Sequence, residues 1–392
     1  MTSTTFIHTA DWQLGKPFAR IEDDDKRRDV QKARLDAITR IGEVAREHGA
    51  AFILVAGDLF DSPTTTRSTV SQACSLIGAL DLPVYAIPGN HDHGGPGGLW
   101  DQDFFNQERD QLAPNLHILL EPTPVETDEA VLLPCPLRRR HETSDPMAWL
   151  QSVERPGSND QKPRIVIAHG SVQGFDNTVA DANDGAGTPN LLDLTRFAED
   201  TFDYIALGDW HGTKQIGPRA WYSGTPEIDR FKRGEGNDPG NILVIRTTPG
   251  EAPEVCKVAT RQLGWHRLEF RFTEDASLDQ FGELLGDTLG NRAGRDLLEL
   301  ELSGSLGIEA TARLEELLET FRSRLLRLKL VQQTTIAPTP EEVEELTRRS
   351  GDPLISRVAG KLIAKAAEEN EESATARLAL RELYSACHSN NV

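Results

Sequence analysis

Cysteine is scarce and scattered. Cys74, Cys135, Cys256 and Cys387 are the four in the chain, and none stands at the short spacing of a thiolate zinc site. Neither a disulfide framework nor cysteine-ligated zinc is expected from them. No apolar run approaches the length of a membrane span, and Met1-Thr2-Ser3-Thr4-Thr5 lacks both the basic and the apolar region of a signal peptide. The expectation is a cytoplasmic protein without a membrane partner. Basic charge is also short: 42 Lys and Arg against 62 Asp and Glu leave a formal net charge of -20. Polyanion binding is driven by protein cations that neutralise phosphates, so a chain this acidic would by itself repel nucleic acid. Action on DNA would require bound divalent metals, a local basic patch or a basic partner.

What is present is an ordinary globular composition, 38% hydrophobic and 27% charged over 392 residues, enough for two or three domains. Its organising stretch is Gly89-Asn90-His91-Asp92, which follows the apolar run Val84-Tyr85-Ala86-Ile87. An amide oxygen, an imidazole and a carboxylate on successive residues just past a buried strand suit metal binding and proton transfer, although Gly and Asn also serve turn geometry there.

The same arrangement recurs along the chain. Phe6-Ile7-His8-Thr9-Ala10 leads to Asp11-Trp12-Gln13-Leu14-Gly15, and Phe52-Ile53-Leu54-Val55-Ala56 leads to Gly57-Asp58-Leu59-Phe60-Asp61. Helical periodicity from Val30 to His48 and from Thr66 to Leu80 makes this a β-α-β-α-β series. Residues 94 to 163 read as a meander of short strands around a helix near Asp101 to Gln111. Beyond it, Arg164-Ile165-Val166-Ile167-Ala168 presents His169-Gly170, and Tyr204-Ile205-Ala206-Leu207 presents Gly208-Asp209-Trp210-His211-Gly212. The Asp-, Asn- and Gly-rich segment Gly174 to Pro189 between them reads as a mobile surface loop. Asp11, Gln13, Asp58, Asn90, His169, Asp209 and His211 are thus oxygen or imidazole donors at five strand exits, the donor types that adjacent divalent cations require.

With those residues in view, the chain resembles the calcineurin-like metallophosphoesterases, whose pattern runs Asp-x-His, Gly-Asp, Gly-Asn-His-Asp or -Glu, a later His, and Gly-His-x-His. Within that family, His8 to Gly15, Gly57 to Asp61 and Tyr222-Ser223-Gly224-Thr225-Pro226 resemble the DNA-repair exonuclease branch, which includes the nuclease subunit of the bacterial SbcCD complex. The resemblance implies a four-layer α/β/β/α sandwich and a divalent-metal-dependent DNA phosphodiesterase, an exonuclease or endonuclease acting in DNA repair or end processing. It implies one metal among Asp11, Gln13, Asp58 and His211 and a second among Asp58, Asn90, His169 and Asp209, with Asp58 bridging. His91 becomes the catalytic residue, a general acid or transition-state stabiliser, and Asp92 either orients it or caps its turn.

Two positions depart from the pattern. Gln13 stands for a histidine, and Asp209 for the first histidine of Gly-His-x-His. Both keep a metal donor and make the site richer in oxygen, which favours manganese, then magnesium or iron, over zinc.

Leu133 to His141 closes a strand with Arg138, Arg139 and Arg140 in an otherwise acidic protein. These are candidates for contact with DNA phosphates, or else a solvated cluster paired with nearby acids such as Glu142 and Asp145. Arg230, Lys232 and Arg233 around Phe231 form a second basic patch.

The metallophosphoesterase domain is expected over 1–248, an α+β capping domain over 249–335 and a helical C-terminal tail over 336–392. The resemblance implies that the cap helps select DNA geometry, that the tail docks on the coiled coil of an SMC-like ATPase subunit, and that the chain forms a homodimer. Two other uses of the same residues stand beside this one. One is hydrolysis of a small phosphoester, which suits the negative charge; the other is a non-catalytic subunit that binds DNA ends in an ATPase complex.

Overall fold

The computed structural model describes residues 3–153, 162–173, 189–232, 237–336, 339–348, 352–368 and 371–389. Residues 174–188 of the expected loop, and Arg233 of the second basic patch, lie outside them. The chain divides into two compact units, Met1–Gly264 and Trp265–Val392.

The first unit is built on two six-stranded mixed sheets. In one, Thr4–Thr9 runs parallel to Ile53–Val55 and antiparallel to Asn241–Thr247. Val84–Ala86 and Leu116–Ile118 extend it on one side, and Glu254–Ala259 forms the other edge. In the second, Tyr204–Gly208 lies between Arg164–His169 and Ala220–Tyr222, flanked by Val131–Cys135, Val125–Glu126 and Lys214–Gln215.

The sheets pack face to face. Phe6, Phe52, Leu54 and Ile245 of the first meet Leu132, Ile165, Ile167, Tyr204 and Ala206 of the second, and Phe6 stacks on Phe52 with ring centroids 5.1 Å apart. The other face of the first sheet, through Ile7, Ile53, Val55 and Val84, receives the helices Asp24–Glu47 and Arg67–Gly78. Burial on both faces is why these strands are unbroken apolar runs rather than alternating ones. Outside the second sheet, the described residues contribute the short 3-10 turns Ala148–Ser152 and Leu194–Arg196 to the apolar cover.

Two features differ from the sequence reading. Residues 94 to 163 form no single meander: Leu116–Ile118 joins the first sheet, whereas Val125–Glu126 and Val131–Cys135 join the second, so this stretch is the crossover between them. The first unit also runs past residue 248, because Glu254–Ala259 pairs with Asn241–Thr247. Only Val255 and Val258 of that edge strand are half buried against the apolar clusters, and so polar an edge reads as a linker.

His8 joins the sheets. Its Nδ1 lies 2.9 Å from the Tyr204 hydroxyl and its Nε2 3.2 Å from the Leu207 carbonyl, an arrangement that uses a neutral ring: Nε2–H donates and Nδ1 accepts. Burial lowers its pKa to about 3, so between there and the ordinary 6.5 the unfolded chain binds the extra proton. Stability should therefore rise with pH across that window. Thermal melts from pH 4 to 7 should show this slope, and His8→Gln should flatten it.

The second unit is α+β. Gly264–Phe272, Asp296–Leu306 and Arg327–Ile336 form a three-stranded sheet, the last two strands parallel. The helices Ser277–Leu289 and Ile308–Arg324 supply Phe281, Leu285, Leu314 and Leu318 to its core. Three further helices, Pro340–Thr347, Pro353–Ala366 and Glu371–Ser389, build a smaller core with Ile308. Glu342 fastens them: its carboxylate accepts from the Thr339, Ile308 and Glu309 amides at 2.9, 3.0 and 2.8 Å, capping two helix starts at once. Among the described residues no helix is long and apolar enough to cross a membrane.

Candidate metal centre

Where Thr4–Thr9, Ile53–Val55 and Val84–Ala86 of one sheet and Arg164–His169 and Tyr204–Gly208 of the other end, the chain turns sharply. Asp11, Gln13, Asp58 and Asp209 adopt left-handed backbone, with φ of 54°, 42°, 55° and 98°. A residue bearing a Cβ pays on the order of 1 kcal/mol or more for this, and such strain gathers at functional sites. The turns are held to each other: Asp11 N donates to Gly57 O at 3.1 Å and Gln13 N to Asp58 O at 2.8 Å. Glycine allows the close approach. A Cβ on Gly57 would lie 2.2 Å from His169 Nδ1, and one on Gly89 would lie 2.2 Å from Asp58 Oδ1.

One side of the site converges on His169. Its Nδ1–H donates to the Ala56 carbonyl at 2.8 Å, which leaves Nε2 facing inward. Around Nε2 stand Asn90 Oδ1 at 3.1 Å, Asp58 Oδ1 at 3.6 Å and Asp209 Oδ1 at 3.8 Å, and donor atoms of Asp11, Asp58 and His169 all lie within 4.8 Å of one another. Ser171 Oγ donates to Asp209 Oδ2 at 3.1 Å and fixes that carboxylate.

The electrostatics call for a cation. Burial raises Asp11 well above the usual carboxylate range, reinforced by Asp58 and Asp209, and burial also raises Asp209. Burial alone would lower His169, but the carboxylates of Asp58, Asp11 and Asp209 push it up to about 9. This cluster, with Asp11, Asp58 and His169 buried and Asn90 and Asp209 half-buried, fits a divalent cation, which would take the place of the proton on His169.

The other side is arranged differently. His211 is held neutral by burial, with a pKa near 4. Its Nδ1–H donates to Asp229 Oδ1 at 3.0 Å, and its Nε2 lies 3.8 Å from Asp11 Oδ1. Gln13, expected as a ligand through its amide oxygen, instead has that oxygen 2.6 Å from Lys16 Nζ, while its amide nitrogen faces Asp58 Oδ2 at 3.4 Å and His211 Nε2 at 3.3 Å. An amide N–H has no lone pair for a metal, so this side does not fit a cation in the same way.

His91 stands beside these groups. Its backbone N–H donates to Asp58 Oδ1 at 2.9 Å, and its Nδ1–H donates to the Asp61 carbonyl at 2.8 Å. At 29% exposure the side chain is within reach of a substrate. Asp92 does not orient it: its two oxygens accept from Phe60 N at 3.0 Å and Gly89 N at 2.7 Å, the turn-capping alternative. Asp61 is the carboxylate at His91, with Oδ1 3.8 Å from Nδ1.

Arg138, Arg139 and Arg140 are exposed. Their loop starts against the turn that carries His91, since Leu137 N donates to Pro88 O at 3.3 Å and Gly94 N to Leu137 O at 2.8 Å. Arg138 also forms an ion pair with Glu121. In the second basic patch, Arg230 Nη2 lies 3.1 Å from the His211 ring nitrogens, and Phe231 is buried.

Sequence reasoning left four participants without a role: Lys16, Arg34, Asp61 and Asp229. Arg34 carries the clearest signal, a cation on the buried stripe of its helix between Val30, Ala33, Ala37 and Ile38. Asp229 is held well below the carboxylate range because His211, Lys16 and Arg230 outweigh its burial.

A family profile for the calcineurin-like phosphoesterases matches residues 4–233, more than half of the chain. The chain is also similar to the crystal structure of TT1561 of Thermus thermophilus, at 11% identity and a TM-score of 0.40, over 66% of this chain and 100% of that one. A second solved structure is similar at 12% identity, with the same TM-score and the same coverage. The profile match spans the strand exits that deliver Asp11, Asp58, Asn90, His169, Asp209 and His211, and on that match the chain belongs to the calcineurin-like phosphoesterase family.

Proposed function

We propose that this chain is a divalent-metal-dependent DNA phosphodiesterase, a nuclease acting in DNA repair or end processing. The observation that carries the reading is the convergence of Asp58, Asn90 and Asp209 oxygens on His169 Nε2 with a partly exposed imidazole, His91, beside them. A bound divalent cation, manganese by preference, would be held by these four groups; it supplies Lewis-acid charge to the phosphoryl oxygens and lowers the pKa of water.

The remaining steps belong to the protein. The Asp61 carbonyl takes the Nδ1–H of His91 and turns Nε2 outward. Water bonds to phosphorus and loses a proton to solvent as the phosphorus–oxygen bond to the departing group breaks, and a proton on His91 Nε2 passes to that departing oxygen, so that no free alkoxide has to form. The Arg138 to Arg140 loop, anchored at the His91 turn, is suited to neutralise flanking phosphates in a chain whose net charge opposes DNA. An SMC-like ATPase subunit would supply further basic surface, a partnership that rests on the branch resemblance.

The test is cleavage of end-labelled single- and double-stranded DNA in manganese. His91→Ala should lower the rate by about 100- to 10,000-fold and leave manganese affinity unchanged. Intact cleavage in that variant would remove His91 from the reaction. The charge of -20 favours a second reading, a small phosphodiester substrate. Hydrolysis of cyclic nucleotides without DNA cleavage would select it.

A further inference from the structure

We propose that this chain holds one divalent cation rather than two, and that Lys16, acting through the amide of Gln13, closes the position a second cation would take. This rests on the metal-dependent reading above and sharpens it.

The closure starts from a short turn. Gly15 has φ of 86°, and Lys16 N donates to the Gln13 carbonyl at 3.2 Å, so the chain folds back and brings the lysine over the glutamine three residues earlier. Lys16 Nζ then lies 2.6 Å from Gln13 Oε1 and 2.7 Å from Asp229 Oδ2. An ammonium has donors and no acceptor, so the Gln13 atom facing it must be the oxygen. The orientation of the amide follows: its nitrogen is the end that points to Asp58 Oδ2 and His211 Nε2.

Donors and acceptors then alternate without a gap. Lys16 donates to Gln13 and Asp229, His211 Nδ1–H donates to Asp229, and the Gln13 amide donates to His211 Nε2 and to Asp58. The lone pair of His211 that would bind a metal already faces two N–H donors, the Gln13 amide at 3.3 Å and Arg230 Nη2 at 3.1 Å. A cation at this position would have to displace both, and the Gln13 bond to Asp58. Turning the amide to offer its oxygen would set an NH2 group against the ammonium at 2.6 Å and lose a charge-assisted hydrogen bond. The opposite side differs, since there His169 Nε2 faces the carboxylate and amide oxygens of Asp58, Asp209 and Asn90.

The experiment is manganese stoichiometry, by equilibrium dialysis with elemental analysis, together with the electron paramagnetic resonance spectrum of the bound ion. The natural chain should bind one manganese with an isolated-ion spectrum. Gln13→His should bind two and show exchange coupling between them. Lys16→Met, which frees Gln13 Oε1 at a partly exposed position, should strengthen a second manganese by about 10- to 100-fold. Two tightly bound ions in the natural chain would overturn the proposal and leave the metal-dependent reading intact. No bound manganese at all would overturn both. Should Gln13→His fail to fold, the natural chain and Lys16→Met decide the matter.

Discussion

Asp58→Asn is expected to reduce phosphoester hydrolysis about a thousandfold while leaving the protein folded. Asp58 is 1% exposed, and its Oδ1 accepts the His91 backbone N–H at 2.9 Å, a bond that the asparagine oxygen can keep. What the substitution removes is one of the carboxylate charges facing His169. A correctly placed divalent cation stabilises a developing phosphoryl charge by several kcal/mol, and each 1.4 kcal/mol is about tenfold in rate, so losing about 4 kcal/mol of that stabilisation costs about three decades. The measurements are cleavage rate, manganese retention and melting temperature on the same preparation. A rate within about tenfold of the natural chain, at full stability, would take Asp58 out of the metal site.

The second large effect should come from a residue that touches no donor side chain. Arg34 is 3% exposed and spends its guanidinium on the backbone of the first turn: Nε and Nη2 reach the Trp12 carbonyl at 2.9 and 2.6 Å, Nη2 the Asp11 carbonyl at 3.0 Å, and Nη1 the Glu227 carbonyl at 3.0 Å. Thr225 Oγ1 completes the cluster, accepting from Nη2 at 3.2 Å and donating to Asp11 O at 2.9 Å. Arg34→Met keeps much of the stem volume but leaves several buried carbonyls without a donor. The cost should be about 3 to 5 kcal/mol, and the melting temperature should fall by roughly 10 °C. Because Asp11 sits in left-handed backbone under this clamp and its carboxylate accepts the Asp209 backbone N–H at 3.2 Å, manganese affinity should fall as well. Arg34→Lys should recover little of either, since an ammonium lacks the planar fork that reaches three carbonyls. A melt within about 2 °C of the natural chain would show that the turn holds itself.

Much of the candidate site was legible because its oxygen and imidazole groups sit at strand exits, and buried strands announce themselves as apolar runs. Asp58, Asn90, His169 and Asp209 are therefore visible from local sequence, and they do converge. The contacts that orient the donors were not legible. Asp229 reaches His211 across 18 residues, and nothing local distinguishes it from a surface acid. Gln13 reads as an oxygen donor in the sequence because its alternative, the nitrogen, is dictated by Lys16, whose position depends on a left-handed Gly15. Asp92 is open between two uses until the backbone amides of Phe60 and Gly89 settle it. In the fold, runs buried on both faces stand out, while the polar edge strand Glu254–Ala259 escapes notice because its pairing, not its composition, makes it a strand.

The two sheets also set a schedule for synthesis. Gln13 and His211 are 198 residues apart in the chain, yet they meet in one hydrogen-bonded cluster. At about 5 to 20 residues per second, a ribosome needs about 10 to 40 s to travel that distance. During this interval the first turn, with its acids, exists without His211, and for most of it without His169 as well. A fragment released before His211 is made would carry the acids of the first sheet without the full set of donors that the complete chain brings together.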